Sequence, residues 1–324
     1  MSLFSTSAPP RAVWQVSAGP AARSYADVLL KHGAALIGPG DAGRWTPDRD
    51  DNEFEGSYVR RFASEIAAGD VVQLRTGLST IAAVGLVDGD YLYVNAFDDV
   101  NGWDLQHARR VRWRRLAEPH TFASSAFGAN PPRCSRVWGE DSVDFAQRFL
   151  NSAPTNWQTA PLPDLPAEEP TLDHVPDALQ GIVAQAADLV PLFEHAQSFG
   201  EPPSEDELIA HFVLPFLRAL GWPPEHIAVK WRYIDVAVFL ALPRTSENCH
   251  LVIEAKRLGA GVEGALEQAK GYVETLGIPR DVIVTDGIRY RMYASGRGFE
   301  PMAYANLVRL KKPATDLFAR MRRP

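Results

Sequence analysis

Cysteine is nearly missing from this chain. Cys134 and Cys249 are the two in 324 residues, far apart and in no CxxC pair. That excludes a disulfide scaffold and a cysteine-ligated zinc site. No apolar run reaches the roughly 18 residues of a membrane-spanning helix. The N-terminus lacks a charged segment followed by an apolar one, so no secretory signal is legible and the expectation is a cytoplasmic protein with no membrane partner. GxxxxGK[ST] is absent, so there is no P-loop and no nucleotide cofactor is expected. One GxGxxG occurs, "GPGDAG" at residues 38–43, but "RWTPDRDDNEFEG" follows it where a dinucleotide fold needs a helix start; it reads as a loop. The eight histidines show no metal-ligand spacing, and His107 and His211 read as structural. Nor is there an excess of basic charge. Lys and Arg number 33 against 40 Asp and Glu, a net charge of -7. That rules out a uniformly basic coat but not a local nucleic-acid patch, because affinity follows the local field.

What remains is ordinary globular material, 46% hydrophobic and 23% charged. At roughly 100–200 residues per domain the length suggests two domains. The first, residues 1–152, reads as strands and short helices with Gly and Asp turns: strands over 12–19, 34–38, 71–77, 79–89, 90–96 and 108–116, helices over 24–33, 59–70 and 142–150. Residues 153–172 are rich in proline and acid without periodicity, a linker composition. The second domain, 173–324, opens with a helical pattern over about 175–199. A helix follows in which Ser204 and Glu207 have capping-box spacing and Gly221 ends the run. Strands are expected over 226–242 and 249–259, a helix over 262–277, and a strand pair about the Asp286-Gly287 turn.

The second domain carries the chemistry. In "LVIEAKRLG", residues 251–259, an apolar strand ends in Glu254 and Lys256, two apart and therefore on one face. The preceding strand, "WRYIDVAVF", carries one acid, Asp235, among apolar neighbours. The short connection "PRTSEN" favours antiparallel pairing, which would bring Asp235 toward Glu254. Two carboxylates are suited to Mg²⁺ (or Mn²⁺), a hard cation that takes oxygen ligands and keeps several waters. Such a metal lowers the pKa of a bound water and offsets phosphate charge. Lys256 is placed to position or help deprotonate the attacking water. An isolated ExK is most often a structural ion pair at a sheet edge, so the surrounding pattern has to decide.

That pattern, "IEAKRLG…ALEQAKGYVETLG…VIVTDGIRYRMY", resembles the PD-(D/E)XK nuclease core, in the branch found at the N-terminus of type I restriction enzyme motor subunits. The resemblance covers residues 204–293. It implies a mixed sheet flanked by helices, Asp235 as the first acid and metal ligand, Glu254 and Lys256 as the ExK with Glu254 the second ligand, and Gln268 and Tyr272 as the QxxxY of the next helix. Gln268 is implied at the catalytic site and Tyr272 at the DNA backbone. Glu207, or else Glu205, corresponds to an additional helix acid. Ile234 precedes the first acid where the motif has proline. No motor accompanies the nuclease in this chain.

The strand series of residues 12–150 is similar to EVE-like domains of the PUA superfamily, small β-barrels of which several read modified bases. The resemblance rests on pattern and order, not on a catalytic signature. A base flipped from a duplex is held by aromatic stacking and by hydrogen bonds to its edge. Candidate pocket residues are Trp14, Ser17, Asp41, Trp45 and Trp103, with core packing the competing role for each tryptophan and the stronger one for Trp113. "RRVRWRR" sets Arg110, Arg112 and Arg114 on one strand face, where they could follow a phosphate backbone or form a solvated outer face. The tail "RLKKPATDLFARMRRP" adds a second basic cluster, a DNA contact or a surface helix.

Together these features lead to an α/β (α+β) chain in which a PUA-like barrel precedes a restriction-endonuclease-like domain. The expected function is that of a modification-dependent endonuclease acting on modified double-stranded foreign DNA as a homodimer. The alternatives are a catalytically silent or motor-dependent nucleic-acid-binding protein and an RNA-directed nuclease.

Overall fold

Short apolar segments broken by glycine-rich turns cannot build long helices, and residues 1–168 use them in a single six-stranded sheet. Its strands are β1 (Val13–Ser17), β2 (Ala34–Ile37), β3 (Val71–Thr76), β4 (Thr80–Tyr93), β5 (His107–Thr121) and β6 (Cys134–Arg136), in the order β2-β5-β4-β3-β1-β6. β1 runs parallel to β3 and the other neighbours are antiparallel. The sheet curls into a half-barrel, with α1 (Ala26–Lys31), α2 (Tyr58–Ser64) and α3 (Glu140–Asn151) beside it. This is a computed structural model, and it describes residues 11–19, 24–40, 43–48, 57–122, 126–154, 156–194, 203–258, 265–277 and 280–324.

Two expectations for this unit change. The strands expected over 79–89 and 90–96 are one, β4, whose register shifts between Val87 and Tyr91. Gly89, at φ +111, lets the strand bend there without ending. The segment expected to be a linker, 153–172, is in large part a strap on the first unit. Trp157 and Leu165 pack against its hydrophobic clusters, and the Trp157 indole donates to the Trp113 carbonyl. Leu162 and Pro163 lie over Gly33, where a Cβ would come within 2.9 Å of Pro163. The two units divide at Glu168 and Glu169.

The second unit is a mixed α/β sheet of β7 (Ile227–Trp231), β8 (Ile234–Phe239), β9 (Cys249–Ala255), β10 (Asp281–Thr285), β11 (Arg289–Ala294) and β12 (Glu300–Asn306), in the order β12-β11-β10-β9-β8-β7. β12 was not anticipated. Only the β9–β10 pairing is parallel, and α7 (Leu266–Leu276) makes the crossover that a parallel pair requires. Ala265, Ala269 and Val273 of this segment pack on one face of the sheet. The other face is covered by α4 (Asp177–Glu194), by α5 (Glu205–Leu208) continuing through a π-helical turn (Ile209–Val213) into α6 (Leu214–Ala219), and by α8 (Ala314–Met321). The basic tail is thus a docked helix: it buries Leu317, Phe318 and Met321, and Trp222 donates its indole N–H to the Met321 carbonyl at 2.7 Å. No described helix is long and apolar enough to cross a membrane.

Candidate active site

Strand register assembles the site. β8 and β9 are antiparallel with Val236 opposite Ile253, so the next pair along the ladder is Asp235 and Glu254. Both acids are buried, at 6% and 0% exposure, where an unpaired charge is costly. Asp235 answers this with two hydrogen bonds: Oδ2 accepts from the Ala255 backbone N–H at 2.8 Å, and Oδ1 from Lys230 Nζ at 2.7 Å. Glu254 Oε1 accepts from Lys256 Nζ at 2.5 Å, while its Oε2 is buried without a hydrogen-bond partner.

Lys256 is held at three points. Its backbone N–H donates to the Thr285 carbonyl of β10 at 2.8 Å, and its ammonium contacts Glu254 and, at 3.1 Å, Gln268 Oε1. Gln268 in turn donates to the Tyr272 hydroxyl at 2.7 Å, one helical turn on. Residues from β8, β9, α7 and β10 thus join in one network, with Asp235 and Glu254 buried and Gln268 in solvent.

The electrostatics follow from burial. Removal from water pushes the Glu254 carboxyl up to about 7; the Lys256 hydrogen bond opposes this and the Asp235 charge adds to it. Burial lowers Lys256, but the hydrogen bond and charge of Glu254, with Glu205 and Asp235, outweigh it and hold the ammonium above its ordinary value. A buried carboxylate short of one donor is suited to a cation. Among the described residues no three His, Cys, Asp or Glu side chains form a cluster that could hold a metal; Asp235 and Glu254 are a pair of carboxylates. Two carboxylates fit a cation that retains water, and not a fully protein-caged one.

Glu207, expected as a catalytic acid, does not reach this network. Its Oε2 accepts from the Ser204 backbone N–H at 2.7 Å and hydroxyl at 2.9 Å, completing the capping box of α5. Those bonds hold its carboxyl below the usual range. Glu205, two positions earlier, is the helix acid whose charge acts on Lys256. Lys230 went unnoticed in the sequence; its only signal was a lysine flanked by aromatic and apolar residues shortly before Asp235.

In the first unit the expected pocket residues do not converge. Trp14 is 2% exposed, packed in the core with its indole N–H donating to Asp70 Oδ2 at 3.0 Å, so it presents no face for stacking. Ser17 is buried and accepts from the Gly19 backbone N–H. Trp45 is half-buried and edge-on to Tyr91, whose hydroxyl bonds His107 Nδ1 at 2.7 Å. Trp103 packs with Tyr25 under the Arg133 guanidinium. Trp14 and Trp45 belong with Ala35 and Ile37, and Trp103 with Ala34 and Leu36, so they lie on opposite faces of the sheet. Asp41 lies outside the described residues.

The arginine ridge is engaged by the chain itself. Arg110 donates to the Pro163 carbonyl, and Arg112 to the Ala160 carbonyl and to Asp88 at 2.6 Å. Arg114 donates to the Phe149 carbonyl and to Ser152 Oγ at 2.8 Å. The sequence left these donors either to a phosphate backbone or to a solvated outer face; here they fasten the strap and the end of α3. On the opposite face of β5, buried Arg109 donates to the carbonyls of Phe62 and Ala63 at 2.8 and 2.7 Å, closing the end of α2.

Residues 14–130 match the model of a domain of unknown function, DUF8426. No curated protein matches the chain. Among solved structures, a fragment of an HsdR subunit of a type I restriction enzyme from Vibrio vulnificus YJ016 is 21% identical, with a TM-score of 0.26, over 37% of this chain and 25% of that one. The match thus spans a quarter of that chain's length.

Proposed function

We propose that the second unit hydrolyses phosphodiester bonds in DNA with Mg²⁺ or Mn²⁺ held by Asp235 and Glu254, and that the first unit directs it to DNA carrying a modified base. The observation that carries the reading is the pairing of two buried carboxylates across adjacent strands, one with an oxygen lacking any donor, beside a lysine fixed from three sides.

When bound, the metal supplies a water of lowered pKa and offsets the charge that develops on the phosphate. The chain's own residues do the rest. Asp235 is oriented by the Ala255 N–H, so one of its oxygens is fixed relative to Glu254. Lys256 is aimed by Gln268 and anchored through Thr285, which sets its ammonium where it can hold the attacking water against the phosphate and compensate phosphate charge. Tyr272 orients Gln268. In the first unit, Trp45 and Trp103 are both part-exposed; Trp103 lies under the Arg133 guanidinium, and Trp45, beside the rings of Tyr91 and His107, is our candidate for contact with the modified base. On this reading the chain would act in restriction of modified foreign DNA.

The test is cleavage of a matched duplex panel with Mg²⁺: unmodified DNA and DNA bearing 5-methylcytosine, 5-hydroxymethylcytosine, N4-methylcytosine or N6-methyladenine. Cutting confined to one modified duplex is the expected result. Equal cutting of all would keep the nuclease and remove the reader. No cutting by folded protein would overturn the proposal.

A further inference from the structure

We infer that Lys230 is the resident counter-ion of this site: it neutralises Asp235 while the site is empty and must give up the carboxylate for a divalent cation to bind. The inference rests on the proposed metal-dependent reading and adds to it a residue that controls loading.

The geometry leaves one route in. Of the four carboxylate oxygens of Asp235 and Glu254, one is tied to backbone (Asp235 Oδ2 to the Ala255 N–H) and one to Lys256. Glu254 Oε2 has no partner. The remaining oxygen, Asp235 Oδ1, is the one a cation would share with Glu254, and Lys230 Nζ holds it at 2.7 Å. An ammonium and a divalent cation compete for one oxygen at contact distance, since like charges a few ångströms apart repel beside a buried carboxylate. Lys230 can leave where Lys256 cannot. Its side chain is 50% exposed against 22% for Lys256, and it has a second acceptor in hand, Asp206 Oδ1 at 3.3 Å, itself 75% exposed.

The backbone shows that this placement is specified. Lys230, Arg232 and Tyr233 have φ of +53, +49 and +71, three of the five non-glycine residues in the left-handed region among those described. Trp231 pairs with Ile234 across a two-residue turn with positive φ at both positions, which normally takes Asn-Gly. Bulky residues in that conformation are strained, and such strain concentrates at functional sites. Arg232 braces the turn by donating to Ser246 Oγ at 2.8 Å and lying over the Trp231 ring. The hairpin thereby delivers an ammonium to Asp235 from the rim, while Lys256 belongs to the floor.

The test is metal binding by the full chain, without DNA. Mg²⁺ is titrated by calorimetry, and Mn²⁺ by loss of its free electron-spin-resonance signal. The variants are Lys230→Asn, which removes the charge and tolerates left-handed backbone, Lys230→Arg, which keeps the charge, and Asp235→Asn. Removing one half-exposed charge-assisted hydrogen bond that competes with the metal should tighten binding about fivefold to tenfold in Lys230→Asn. Lys230→Arg should stay near the parent, and Asp235→Asn should lose binding. Should Lys230→Asn prove misfolded by its unfolding midpoint, Lys230→Gln serves in its place. If the parent binds metal and the neutral variants bind equally or more weakly, the counter-ion role is wrong and the metal site stands. If the parent binds no metal at millimolar concentration, the metal-dependent reading falls, and this inference with it.

Discussion

The substitution Glu254→Gln keeps the shape of a buried side chain and removes its charge. In the metal-free protein, burial raises the Glu254 carboxyl from an ordinary 4.5 to about 7. A raised carboxyl binds its proton more tightly in the folded state, so its stabilising contribution is complete below about pH 4.5 and is lost as the pH rises through about 7. At about 1.4 kcal/mol for each tenfold change in proton affinity, the penalty above pH 7 has an upper bound of about 3 kcal/mol. That bound is already net of the Lys256 bond, which opposes the shift, and glutamine escapes a part of it. The variant should therefore be more stable than the parent by about 1–2 kcal/mol near pH 8, a rise in Tm of about 4 °C. Near pH 5 the difference should close. The assay is thermal unfolding in chelator, followed by tryptophan fluorescence, at both pH values. Millimolar Mg²⁺ should then stabilise the parent and leave the variant unmoved. A structural ion pair requires the opposite: Glu254→Gln would be destabilised near pH 8, and that result would refute the poised-site argument.

Asp235→Ala and Lys256→Ala should each cut DNA at least about 100-fold more slowly while binding it within about twofold of the parent, measured by cleavage and by fluorescence anisotropy. Glu207→Ala should weaken the start of α5 yet leave the cleavage rate near the parent's; a collapse in cleavage of folded variant would return Glu207 to the catalytic set. The pair Arg110→Ala and Arg112→Ala should destabilise the first unit by about 1–2 kcal/mol through loss of the strap, with DNA affinity and its salt dependence unchanged. A fall of about two in the slope of log affinity against log salt would show that these arginines do contact phosphates.

The centre of the site was legible because its code is local. Glu254 and Lys256 are two apart on a strand, and alternation alone puts them on one face. The short connection from β8 to β9 made antiparallel pairing the natural expectation, although only the folded register sets Asp235 beside Glu254. Gln268 and Tyr272 share a helix face at four-residue spacing, and their hydrogen bond follows from it. Glu207 stands at a spacing that serves two readings; its bonds within four residues complete the cap, and they hold it away from the Asp235–Glu254–Lys256 network. Lys230 was invisible because its approach to Asp235 depends on three left-handed residues for which no turn sequence is diagnostic. The arginines of β5 show a related limit. Alternation correctly separated Arg110, Arg112 and Arg114 from Arg109, but not which face would meet solvent and which a later stretch of the same chain. Tryptophans such as Trp14 fill cores as readily as they line pockets, so residue type alone could not place them.

The crossover through α7 has a consequence for synthesis. Lys256 is anchored by the carbonyl of Thr285, and that bond exists only when β10 has paired alongside β9. A nascent chain released just past β9, to Lys256, already contains both carboxylates and the lysine. It lacks the helix that aims the ammonium and the strand that anchors it. Parallel pairing, which closes a long loop before it returns any stabilisation, is the slow step of such folds. On the proposed reading, competence to cut would arrive only with the completed sheet, and half-made chains bearing every acidic residue of the site would leave the DNA of the cell that makes them intact.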